Sequence, residues 1–161
     1  MLSPYSQLCA DFFTDLNQFF INYFQLADTY RREGIENGDR YGIITVRSLE
    51  PDTSHGTDVR QGFQFLLVKM EILMTFGSSD RISSESLALS AALDLHHGIP
   101  ALKQFFDDGS GLIYDLKTDE QITTVKRQAL KPPNNYIVDV VCGAIANMSI
   151  VVDIDGKHVM R

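Results

Sequence analysis

Asp52, His55 and Asp58 stand three residues apart within Asp52-Thr53-Ser54-His55-Gly56-Thr57-Asp58, the densest polar stretch of the chain. Two carboxylates and an imidazole are donors that a divalent metal accepts. One reading is therefore a metal-assisted enzyme centred on this loop. Such a site needs a further ligand from elsewhere, for which His96, His97 and His158 are available. The competing reading is a polar loop in which Asp58 caps a helix and the Ser, Thr and Asp side chains build turns.

Other chemically capable residues have plainer explanations. His96 and His97 suit the last turn of a helix that Gly98 stops, where positive charge complements the helix end. Asp153-Ile154-Asp155-Gly156 opens like a calcium loop, but the later ligands, including a Glu at the twelfth position, are missing. A hairpin turn explains it better. Cys9 and Cys142 lie on apolar stretches without a CxxC pattern and read as core thiols. There is no Walker A motif and no GxGxxG, and the carboxylates are too scattered to single out an acid/base pair. No cofactor is expected.

These residues sit in a chain of 161, which is about one domain, expected to span residues 1–161 as a single globular unit. Apolar residues make up 44% and charged residues 22%, enough to build a core and too apolar for wholesale disorder. The formal net charge of −7 disfavours nucleic acid and anionic membranes as partners, because both select cationic surfaces. No run approaches the ~20 apolar residues of a membrane span. Two cysteines and no secretory leader point to a reducing, cytoplasmic setting.

The periodicities predict an α+β domain that is mainly helical, with a long N-terminal helix and a small, mostly antiparallel sheet. Ser3-Pro4 opens a helix of roughly 27 to 30 residues, running to Tyr30 and stopped near Gly34. Residues 41–49 read as a strand. Residues 61–76 read as a helix on the spacing of Phe63, Leu66, Leu67, Met70, Leu73 and Met74. Ser84 caps a helix to His97, and Pro100 opens a short second one. Residues 111–116 read as a strand. Thr118-Asp119-Glu120-Gln121 matches a capping box before a helix to about Lys131. Residues 136–147 are balanced between helix and strand, with helix preferred on the i, i+3, i+4, i+7 pattern that starts at Ile137. A C-terminal hairpin turns at Asp155-Gly156.

The N-terminal segment is the most distinctive. Tyr5, Cys9, Phe12, Leu16, Phe19, Tyr23, Leu26 and Tyr30 alternate by four and three, a seven-residue apolar repeat. Such a seam must be covered, either by the protein's own core or by a twin or client. The leading functional expectation is a non-enzymatic protein-binding module (small chaperone, adaptor, inhibitor or regulatory subunit), with a homodimer as one form. Its contacts would be Phe12, Leu16, Phe19, Phe20, Tyr23 and Leu26. Besides the metal-assisted enzyme, a third expectation is a small-molecule binding domain whose pocket is lined by Phe63, Phe65, Met70 and Met74.

Overall fold

The computed structural model describes residues 5–26, 40–52, 63–78, 80–108, 112–128, 136–152 and 158–159. They form helix α1 (Ser6–Phe24), strands β1 (Arg40–Pro51) and β2 (Phe63–Ser78), helix α2 (Arg81–Asp108), and strands β3 (Ile113–Thr118), β4 (Thr123–Gln128), β5 (Tyr136–Val152) and β6 (His158–Val159). All six strands belong to one antiparallel sheet, ordered β1-β2-β5-β3, with β4 and β6 also pairing along β5. The α+β class stands. The mainly helical body and the small sheet do not, because strands hold more of the described residues than helices do.

The largest correction concerns β2 and β5, both read from the sequence as helices. In β2 the buried large apolar residues are Leu66, Val68, Met70, Ile72, Met74 and Phe76, a strict period of two. In β5 the buried apolar residues are Val138, Val140, Cys142, Ala144, Ala146 and Ile150. The pairing sets Leu66 opposite Met148 and Phe76 opposite Val138, so both sets share one face. Leu67, Leu73, Val141 and Ile145 on the other face are half-buried. Apolar residues on both faces create accidental i, i+3 and i+4 matches, and these imitate a helix.

The capping box at Thr118 is also no helix start. β3 and β4 run in line along β5, separated by residues 119–122, and the Asp119 N–H donates to the Gly143 carbonyl at 2.8 Å. Within β3 the register shifts between Tyr114 and Lys117, where Asp115 adopts a left-handed backbone (φ 56°). The side chain of Asn147 donates to its carboxylate at 3.0 Å.

The two helices expected on either side of Gly98 are one. Asp80 begins it, accepting the Ser83 N–H at 2.8 Å and the Ser83 hydroxyl at 2.7 Å; the expected cap, Ser84, is buried inside. Pro100 remains within α2. An internal proline costs about 3 kcal/mol. Leu95, Ile99, Leu102 and Phe106, buried around it, contribute an upper bound of about 1.5–3 kcal/mol each, which decides the matter for a continuous helix.

α1 is shorter than the seam implies. It has 19 residues and ends at Phe24, where Gln25 turns left-handed (φ 53°) and the Leu26 N–H closes on the Ile21 carbonyl at 2.9 Å. The expected start at Ser3 and the extension to Tyr30 lie outside the described residues. Its buried row is Phe12, Leu16, Phe20 and Phe24, spaced by four. A straight helix lying on a sheet has no supercoiled partner to keep a 3.5-residue seam in register, so the row drifts off the heptad positions.

α1 reaches its neighbours at two glycines. A side chain on Gly42 of β1 would lie 2.6 Å from the Phe20 ring, and one on Gly98 of α2 would run into the Phe24 ring. Nearer the start of α1, Phe12 meets Phe106 edge-on at 5.5 Å, and Phe19 stacks on Phe105 at 5.1 Å. The helices and the inner sheet face thus enclose one hydrophobic core.

Candidate functional site

β1 forms one margin of the sheet, and among the described residues it pairs only with β2. Among the described residues no strand lies along its other side, the position from which a 12-residue edge strand can offer backbone donors and acceptors. Three large apolar side chains on this strand are well exposed: Ile43 (47%), Val46 (49%) and Leu49 (57%). Phe20 of α1 covers the strand at Gly42, Ile44 is buried, and Val46 and Leu49 are exposed.

Each exposed side chain continues a row across the sheet. Ile43 lies opposite Leu73, and Leu73 opposite Val141, all on the outer face. Val46 lies opposite Met70, and Met70 opposite Ala144, on the inner face. A strand added beside β1 would therefore meet an apolar neighbour on both of its faces.

The second half of β1 is less hospitable. The ladder bulges between Val46 and Ser48, Arg47 pairs with Glu71, Glu50 pairs with Lys69 at 3.1 Å, and Pro51 closes the strand. Bulges, charges and proline are the usual means of blunting a sheet edge. The accessible segment is Arg40–Val46.

The seam residues lie elsewhere. Phe12, Leu16, Phe20 and Leu26 are buried in the core. Phe19 is half-buried between Phe105 and Tyr23, and Tyr23, 44% exposed, is the one of the six well open to solvent. Met70 and Met74 are buried beneath the helices, while Phe65 stands half-buried on the opposite face, so the structure does not gather them into one pocket. Of the metal-loop residues, Asp52 follows β1 and donates its backbone N–H to the Phe65 carbonyl at 3.0 Å, whereas His55 and Asp58 lie outside the described residues. Among the described residues no group of three His, Cys, Asp or Glu side chains is arranged to hold a metal ion. Cys9 is half-buried and Cys142 buried, both as free thiols.

No protein-family model matches the chain, and no curated protein matches it. Among the described residues no helix is long and apolar enough to cross a membrane.

A cleft of about 290 Å³ opens where α1 ends, lined by Tyr23, Phe24, Gln25, Arg40, Asp94 and His97. Arg40 crosses from β1 to α2 and donates from Nη1 to Asp94 Oδ2 at 2.7 Å. Sequence reading missed this pair because its members are 54 positions apart. The legible signal was only the spacing of Asp94 and His97, one helical turn apart. Both are exposed, and they lie well inside α2, not in its final turn.

Proposed function

We propose that this protein works by binding another polypeptide, which adds an extended segment to the outer margin of β1 along Arg40–Val46. The observation that carries this reading is that, among the described residues, β2 is the one strand paired with β1, together with exposed Ile43 and Val46 on opposite faces. Main-chain hydrogen bonds supply affinity in such additions, and alternate side chains supply specificity. The partner segment is expected to alternate apolar and polar residues and to lack internal proline. The net charge of −7 accords with a polypeptide partner and not with nucleic acid.

Selection of extended peptides from a random display library tests this. Enriched peptides should show the alternating pattern and should protect the amides of Arg40–Val46 from hydrogen exchange. Ile43→Lys and Val46→Lys should each weaken binding by at least about ten-fold, equivalent to about 1.4 kcal/mol, without lowering the melting temperature by more than a few degrees. Unaltered binding by both variants, or protection appearing elsewhere, would reject the site. Mass measurement at micromolar concentration shows in the same samples whether a second copy is the partner.

A further inference from the structure

We infer that the cleft between the end of α1, the start of β1 and the middle of α2 binds a small zwitterion of the free α-amino-acid class. Three observations converge there. First, opposite charges stand side by side: Arg40 and Asp94 meet at 2.7 Å, and each keeps unused capacity. A guanidinium has five donors and a carboxylate has two oxygens, so the single contact leaves four donors and one oxygen available. Among the described residues neither side chain has another partner.

Second, the remaining polar groups extend both signs. His97 adds a donor or acceptor beside Arg40 and Asp94. The left-handed turn at Gln25 places the carbonyl end of α1, the negative end of its dipole, at the same cleft. Third, Tyr23 supplies an aromatic wall. Its ring stacks on Phe19 at 5.7 Å and is 44% exposed, and it lines the cleft.

These features select against singly charged ligands. A simple anion would face Asp94 and the helix end, and a simple cation would face Arg40. A ligand with a carboxylate for the Arg40 fork and an ammonium for Asp94 satisfies both without leaving a charge unpaired. An apolar or aromatic side chain then lies on Tyr23. The volume, about 290 Å³, lies just under the roughly 300–1,000 Å³ range of ligand pockets, in keeping with a molecule of this size.

The experiment is calorimetric titration and thermal shift of the full chain with phenylalanine, phenethylamine and 3-phenylpropionate. Phenylalanine should bind at least about ten-fold more tightly than either one-charge analogue. Asp94→Asn should abolish that preference by removing the partner of the ammonium, and Arg40→Gln should abolish binding. Both side chains are substantially solvent-accessible, and an unchanged circular dichroism spectrum checks that each variant folds. Should Arg40→Gln not fold, Asp94→Asn alone decides. Equal binding of an analogue, an unaltered Asp94→Asn variant, or no saturable heat from phenylalanine at millimolar concentration would overturn the proposal.

Discussion

The ring of Phe24, the last residue of α1, lies against the bare Cα of Gly98 in the middle of α2, with no room for even a methyl group between them. The helix interior would ordinarily favour alanine over glycine by about 1 kcal/mol. Overpacking a core costs about 1–3 kcal/mol. The steric effect is expected to win. Gly98→Ala should lose up to about 2 kcal/mol on denaturant unfolding, and adding Phe24→Leu should recover part of it. A Gly98→Ala protein as stable as the parent would show that α1 is not seated on this glycine.

Asp139 joins two strands on the outer face. It accepts the Thr75 hydroxyl at 2.7 Å and Arg127 Nε at 2.8 Å. Thr75 is buried, so removing its acceptor strands a polar group, at a cost of about 1–3 kcal/mol. The Arg127 side chain is about half exposed, and such pairs contribute about 0–1 kcal/mol. Asp139→Ala should therefore destabilise more than Arg127→Ala in chemical denaturation. The reverse order would mean that the ion pair, not the buried hydroxyl, sets the energetics.

Burial pushes the Cys142 thiol above its ordinary value of 9.0; the nearby Asp119 charge pushes the same way, while a hydrogen bond with the Asp119 backbone opposes both. The folded state thus keeps its proton longer than the unfolded one. Its contribution is present in full below the unfolded thiol pKa and declines as pH rises from there through the folded value. Melting temperature should fall more steeply above about pH 8.5 in the parent than in Cys142→Ala, and a thiol reagent at pH 8 should label half-buried Cys9 before Cys142. Equal slopes, or equal labelling rates, would contradict this.

Legibility in the sequence followed the number of apolar faces on each segment. β1 could be read because residues 41–49 are β-branched and bounded by polar stretches; the pairing of β5 with β6 at Val151–Val159 likewise fits the expected C-terminal hairpin, although the turn at Asp155-Gly156 lies outside the described residues. β2 and β5 are central strands with apolar side chains on both faces, which erases the alternation that identifies a strand. Gly98 reads as a stop signal in isolation, yet the packing of Phe24 requires it inside a helix. The β1 margin was invisible because which strand ends the sheet is a matter of topology. The Arg40–Asp94 pair was invisible because no local pattern joins residues on different elements.

The two sides of the sheet are built unequally. Along β5, the strands β6, β3 and β4 follow one another as short lengths, broken at residues 119–122, whereas β1 runs for 12 residues. If a segment joins at Arg40–Val46, the fragmented opposite flank would offer no matching edge for the next copy. Growth by edge pairing would stop at a finite complex and would not propagate into a fibre.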